Sequence, residues 1–364
     1  MIKVLITEDS PVVRGYLKYI LDSDPDIEVV GVAKDGEEAV DMVAQSKPDV
    51  VTMDIHMPKM DGYQATRKIM ETYPVPIVIC SASWNPEEVD KTFRTMEAGA
   101  VAALEKPRGM GHPDSEASVG ELLKTVKLMS GVKVVRRWSK DRKRPVSKSS
   151  KEKKKTQEKT ETSAAAGTKT TDVKLVAMGS STGGPLVLQT IISGIPKNFP
   201  VPIVMVQHIA PGFLAGLAEW LGRTTNYPVH IAEDGEKLNP GCAYLAPDGF
   251  QIAVDKSLKV HLNDEQPKQN LCPSVSYFFN SVLQTFGKQC IGVLLTGMGR
   301  DGANELKALK DVGAVTIAQD KETSVVHGMP GEAIKIGGAS IVLPSTGIAE
   351  KLVDLSIKKE SIES

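Results

Sequence analysis

The sequence predicts an α/β protein made of two doubly wound, mostly parallel sheets with a polar linker between them. Three observations carry this. Short apolar runs alternate with amphipathic stretches over residues 1–128, and the alternation resumes over 172–358; this is the pattern of strand–helix–strand units. Residues 129–171 break it: from Lys133 the chain is rich in Lys, Arg, Ser and Thr and nearly free of large apolar side chains. Such a segment buries too little surface to offset the entropy of ordering it. Third, residues suited to chemistry fall just after the apolar runs, and ligands of parallel sheets gather outside the carboxyl ends of the strands.

In the first domain, strands are expected at Ile2–Thr7, Glu28–Ala33, Val50–Asp54, Ile77–Ser81 and Val101–Leu104. The helical spacing at Val12–Leu21 puts Val13, Tyr16, Leu17 and Ile20 on one face. In the second, strand Val173–Met178 leads into helix Pro185–Ile192, and strand Val201–Val206 into a helix near Phe213–Gly222. A more β-like stretch, Val229–Leu262, carries turn signals at Asp234-Gly, Asn239-Pro-Gly and Asp248-Gly. Helix Val275–Phe286, strand Cys290–Leu295, helix Ala303–Val312 and strand Ala314–Gln319 follow.

The chain has 364 residues, enough for two domains, and a formal net charge of -1. It is not built to coat nucleic acid, and the basic linker lacks the aromatic interleaving of a nucleic-acid-binding tail. No apolar run approaches the roughly 18 residues of a membrane span, and the N-terminus reads as a strand rather than a secretory signal. A cytoplasmic protein without membrane insertion is expected. Cys80, Cys242, Cys272 and Cys290 have no metal-ligand spacing and read as free thiols.

The first chemical constellation is acidic. One strand ends at Glu8-Asp9 and another at Asp54. Three carboxylates at one sheet edge repel each other unless a cation joins them, and an oxygen-only donor set suits Mg²⁺. Ser81 and Lys106, at the ends of two further strands, supply a hydroxyl and an ammonium for a phosphoryl group. On these five positions, and on the stretch Asp54-Ile-His-Met-Pro-Lys-Met-Asp-Gly62, residues 1–125 resemble a response-regulator receiver domain. The resemblance implies a flavodoxin-like fold, Asp54 as phosphoacceptor from a sensor histidine kinase, Glu8, Asp9 and Asp54 as Mg²⁺ ligands, and Ser81 and Lys106 as switch residues. Ala103 stands where that family often has an aromatic switch residue.

The second constellation is hydrolytic. Gly179-Ser-Ser-Thr-Gly183 fits G-x-S-x-G between a strand and a helix, the setting of a nucleophile elbow at Ser181. His208 ends the next strand, and Asp301 follows a later one. A serine, a base and an orienting acid at one sheet edge is triad logic. The order Ser, His, Asp differs from that of α/β-hydrolases. A competing pattern is Gly297-Met-Gly-Arg-Asp-Gly302 with Asp320 beyond it, a literal dinucleotide-binding fingerprint. The elbow lacks the Lys-Ser/Thr ending of a P-loop.

Residues 172–355 resemble the catalytic domain of chemotaxis protein-glutamate methylesterases. The matching pieces are the Ser181 loop, Val-Gln-His208, Tyr244-Leu-Ala-Pro247, Pro273-Ser-Val275, the Asp301 loop and Gly328-Met-Pro330. The resemblance implies a Rossmann-like α/β fold, with Ser181 as nucleophile, His208 as base and Asp301 as orienting acid. Thr182 and the Met298 amide would lie at the oxyanion. It further implies hydrolysis of glutamate γ-methyl esters on chemoreceptor cytoplasmic helices without a cofactor, deamidation of receptor glutamines, and a chemotaxis-type kinase as partner. Cys272 and Gln251 replace the family's arginine and histidine, which directs attention to substrate contacts; His327 is expected to pack or to line the substrate side. A non-enzymatic adaptor with a receiver input is the other class of function, and it would keep its phenotype after Ser181→Ala.

Overall fold

The computed structural model describes residues 1–81, 86–109, 111–134, 136, 173–264 and 271–356. The first domain is a five-stranded parallel sheet of β1 (Ile2–Thr7), β2 (Ile27–Ala33), β3 (Val50–Met53), β4 (Ile77–Ser81) and β5 (Ala102–Glu105), in the order β2-β1-β3-β4-β5. Helices α1 (Pro11–Asp22), α2 (Gly36–Ser46), α3 (Gly62–Thr72), α4 (Pro86–Ala98) and α5 (Ser115–Ser130) connect and cover it. The helix starts are written in the sequence. Pro11 opens α1, Asp35 caps α2 by accepting from the Glu38 amide at 2.9 Å, and Asp61 and Gln64 form a capping box on α3. Helix α5 takes in residues 129 and 130 of the expected linker; most of the remaining linker, including Trp138, lies outside the described residues.

The second domain has a seven-stranded sheet whose pairings are all parallel. Its strands are β6 (Leu175–Ser180), β7 (Ile203–Gln207), β8 (Val229–Ile231), β9 (Ala243–Leu245), β12 (Cys290–Leu294), β13 (Val315–Gln319) and β14 (Ile341–Leu343). The β-like stretch supplies β8, β9 and also an antiparallel hairpin, β10 (Gln251–Val254) with β11 (Val260–Asn263), outside that sheet. Helices α6 (Gly184–Ser193), α7 (Leu214–Thr225) and α11 (Ser345–Ser356) lie on one face, and α8 (Val275–Phe286), α9 (Ala303–Asp311) and α10 (Met329–Lys335) on the other. The buried strands read as continuous apolar runs because helices cover both faces.

The strand order is β14-β13-β12-β6-β7-β9-β8. The chain winds outward from β6 through β7, then returns to β12 on the other side. The switch point therefore lies between β6 and β12, and a crevice opens at their carboxyl ends.

The two domains touch through α4 and α7. The Phe93 ring stacks on Trp220, with centroids 4.9 Å apart and planes 18° from parallel, and meets Phe213 edge-on at 6.3 Å. Val89 fills the space above Gly216, where an added Cβ would lie 2.1 Å from its Cγ1. Asp90 pairs with Arg223, and Gln189 Nε2 donates to Glu97 Oε1 at 2.9 Å. Val325 and Val326, from the segment before α10, belong to the same apolar cluster as the first domain's Leu104, Leu122 and Val126.

Candidate active site and phosphoacceptor pocket

Ser181 follows β6, His208 follows β7 and Asp301 lies in the loop between β12 and α9. The backbone draws the three strand ends together: Ser181 N donates to Thr296 O at 3.0 Å and His208 N to Ser180 O at 2.9 Å. Gly183 turns the chain with φ of 79°, a conformation that favours glycine. A Cβ there would also lie 2.6 Å from Val325 Cβ.

Asp301 Oδ2 sits 3.0 Å from His208 Nε2. The ring N–H is not well aligned with the carboxylate, so this contact is chiefly electrostatic. With Nε2 beside the acid, Nδ1 is the ring nitrogen on the side away from Asp301. Asp301 is further cradled at the N-terminus of α8. It accepts from Ser274 Oγ at 3.0 Å, Val275 N at 2.7 Å and Ser276 N at 3.0 Å. Free amides and the helix dipole favour an anion there. Burial alone pushes the carboxyl up, but the contacts with His208 and Ser276 more than reverse this and hold its pKa at about 2. Asp301 is thus a fixed negative charge beside the imidazole at any physiological pH.

Among the described residues, the amides of Thr182 and Met298 meet no hydrogen-bond acceptor. The Met298 loop closes on Ser181, since a Cβ on Gly297 would lie 2.8 Å from Ser181 Cβ and 2.3 Å from Met329 Sδ. A Cβ on Gly302 would lie 2.4 Å from Val275 Cγ1. The protein's own side chains occupy the space that Gly297 and Gly302 leave, so these two glycines serve close packing around the serine, whereas Gly299 has open space beside it and a φ of 82° that favours glycine.

Gln251, one of the two positions that pointed to substrate contacts, is fully buried. Its Oε1 accepts from Ser274 N and its Nε2 donates to Leu271 O, both at 2.9 Å. It therefore braces the segment that cradles Asp301 instead of facing a ligand. Cys272 is half-buried beside it. Residues Thr323 to Val326, which lead to His327, pack against the serine loop in a way that was not expected from the sequence. Thr296 Oγ1 contacts Thr182 O at 2.9 Å and Val326 O at 3.2 Å and accepts from Val326 N at 3.0 Å, tying this segment to the serine loop. His327 pairs through its backbone with Gly297, and burial lowers its pKa.

In the first domain, Glu8 and Asp54 are buried, Asp9 is exposed, and oxygens of the three lie within 4.8 Å of one another. That is an all-carboxylate donor set suited to a hard divalent cation. Lys106 Nζ bridges Glu8 Oε2 at 2.7 Å and Asp54 Oδ2 at 3.0 Å. Burial raises the pKa of both Glu8 and Asp54. Burial pulls Lys106 down, yet its two carboxylate partners outweigh this and leave it raised. Ser81 is buried at the end of β4, and its carbonyl accepts from Lys106 N at 2.8 Å.

The family model described as CheB methylesterase matches residues 176–352, and that of the response regulator receiver domain matches 4–112. The chain is 52% identical over 357 residues to protein-glutamate methylesterase/protein-glutamine glutaminase 1 of Syntrophus aciditrophicus, covering 98% of this chain and 99% of the relative. It is 51% identical over 360 residues to protein-glutamate methylesterase/protein-glutamine glutaminase 4 of Geobacter metallireducens, covering 99% and 100%. Among solved structures, the Thermotoga maritima CheB methylesterase catalytic domain is 44% identical and covers 50% of this chain and 98% of that one, with a TM-score of 0.49. No helix among the described residues is long and apolar enough to cross a membrane. With near-full-length relatives at this identity, the chain belongs to the CheB methylesterase family, its catalytic domain preceded by a response-regulator receiver domain.

Proposed function

We propose that this chain hydrolyses glutamate γ-methyl esters on the cytoplasmic helices of chemoreceptors, using Ser181, His208 and Asp301, under control of phosphorylation at Asp54. The observation that carries the reading is the buried Asp301 carboxylate, held by an α8 helix cap on one side and 3.0 Å from His208 on the other, at the sheet's switch point. His208 takes the proton from Ser181 Oγ as the oxygen attacks the ester carbonyl. Asp301 stabilises the imidazolium. The Thr182 and Met298 amides receive the oxyanion. The intermediate collapses, His208 returns the proton to the leaving group and methanol departs. Water, activated by the same imidazole, then releases glutamate from Ser181. A glutamine side chain enters the same sequence with ammonia as the leaving group.

The receiver's part is control. Asp54 accepts the phosphoryl group from the phosphohistidine of a chemotaxis-type sensor kinase. A bound Mg²⁺, held by Glu8, Asp9 and Asp54, would offset the charge of the phosphoryl oxygens. Ser81 and Lys106 turn toward the new oxygens and shift α4. Two contacts support coupling to the ester site: the Phe93–Trp220 stack between α4 and α7, and Val325, which packs on Gly183 and shares the receiver's apolar cluster. Before phosphorylation the receiver covers the serine edge; afterwards the contact loosens.

An activated serine is tested by a fluorophosphonate. The expected result is one covalent adduct on the peptide containing Ser181, lost in Ser181→Ala and slowed in His208→Ala. An adduct elsewhere, or none on the wild type, contradicts the mechanism.

A further inference from the structure

Among the described residues, three buried glutamines take no part in the chemistry above. Gln207, Gln251 and Gln319 are 3%, 0% and 0% exposed. A buried primary amide is costly unless its donors and acceptor are paired, and each of these is used to join separate stretches of chain. Gln251 joins Leu271 to Ser274, and Gln319 joins Thr296 N, at 2.8 Å, to Thr323 O, at 2.8 Å.

Gln207 joins the nucleophile to the base. Its Nε2 donates to Ser181 O at 2.8 Å and to His208 O at 2.7 Å, and its Oε1 accepts from Ser180 Oγ at 2.7 Å. Both amide hydrogens are thus spent on the main-chain carbonyls of the two residues whose separation matters. Room for this amide depends on Gly184, where a Cβ would lie 2.0 Å from Gln207 Oε1.

The bond to Ser181 O has a second effect. The Ser181 carbonyl and the Thr182 N–H belong to one planar trans peptide, so they point in opposite directions. Gln207 Nε2 and Gly184 N, each at 2.8 Å, together hold the oxygen and so fix the direction of the N–H. That N–H meets no acceptor among the described residues.

We propose that Gln207 is a positioning residue of the esterase reaction: its side-chain amide aims the Thr182 N–H at the oxyanion and holds Ser181 in register with His208. The proposal rests on the reading of Ser181 and His208 as nucleophile and base. A glutamate here would turn lone pairs, not hydrogens, toward two carbonyl oxygens. A methionine would fill the space, leave the His208 carbonyl unpaired and leave Ser181 O with the Gly184 N–H alone, at 2.8 Å. An asparagine is one methylene too short to reach both.

The test uses the full chain as wild type, Gln207→Met and Gln207→Glu, with methanol release from methylated receptor membranes and thermal unfolding measured in parallel. An oxyanion donor and a nucleophile register act in the transition state, so the loss falls on kcat. We expect kcat per folded molecule to fall about 10- to 100-fold in both variants, the effect of a small misplacement at the reacting centre, with KM within about two-fold. Fluorophosphonate labelling of Ser181 slows in parallel, because its adduct places an oxygen in the same hole. A merely structural glutamine would lower the melting temperature and leave kcat per folded molecule within about three-fold; that result overturns the proposal. Gln207→Glu keeps the shape and the Ser180 contact while Gln207→Met avoids a buried charge, so the two fail to fold for different reasons and kcat is read on whichever variant the unfolding measurement shows to be folded. Failure of the underlying reading looks different: Ser181→Ala would then retain methanol release.

Discussion

Replacing Asp301 by asparagine separates charge from shape at the centre of the site. The carboxylate accepts from Ser274 Oγ, Val275 N and Ser276 N and faces His208 Nε2. An asparagine can keep the Oδ1 contacts with Ser274 and Ser276. Its NH₂ group then replaces Oδ2, opposite the Val275 N–H at 2.7 Å and His208 Nε2 at 3.0 Å. Two donors confront each other at Val275. At His208 the ring is driven to accept on Nε2 and to carry its proton on Nδ1, the nitrogen needed for the serine proton. The imidazole is then in the wrong tautomer, and kcat should fall about 10⁴-fold, as for the same change in other triads.

Stability should fall as well. The pKa of Asp301 is depressed from 3.8 to about 2, which corresponds to about 2 kcal/mol at neutral pH. Because the folded pKa is the lower one, this stabilisation is complete above the unfolded value and is lost as pH falls from about 4 towards 2. Urea unfolding at pH 7 and at low pH reads the stability, and methanol release reads kcat. The reasoning fails if Asp301→Asn keeps kcat within about ten-fold of wild type, or if its stability deficit is as large at pH 2 as at pH 7.

Three other outcomes are expected. Phe93→Ala removes the ring stacked on Trp220 and should raise methanol release without phosphodonor about ten-fold, in line with the ~1.4 kcal/mol of a buried aromatic pair; unchanged basal release would remove α4–α7 from the control path. Gly183→Ala forces a positive φ on alanine and drives its Cβ into Val325; we expect a loss of about 1–3 kcal/mol in urea unfolding and reduced activity, whereas wild-type stability would contradict the turn's role. Asp54→Asn should leave basal release unchanged and abolish its increase with acetyl phosphate, checked by radiolabel from a labelled phosphodonor.

Both candidate constellations could be placed from the sequence because their residues follow apolar strands. Glu8, Asp9, Asp54, Ser81 and Lys106 each end a strand of one parallel sheet, so period and position placed them together. The same held for Ser181, His208 and Asp301. The cradle of Asp301 was not legible, because two of its three donors are backbone amides, which any residue provides, and they lie more than twenty positions away in the chain. Gln251 invited a substrate role by position alone; only burial reassigns it. The packing of Val325 and Val326 and the Phe93–Trp220 stack were equally silent, since an apolar side chain gives no sign of whether it meets its own domain or another. Elements β14, α10 and α11 were missed because each is short or only weakly periodic.

The most direct measurement is methanol release from methyl-labelled receptor membranes by wild type and Ser181→Ala, each with and without acetyl phosphate. The account predicts release by wild type that rises with the phosphodonor, and none above background from Ser181→Ala under either condition. Release that survives in Ser181→Ala, or wild-type release that ignores the phosphodonor, would contradict a phosphorylation-controlled serine esterase.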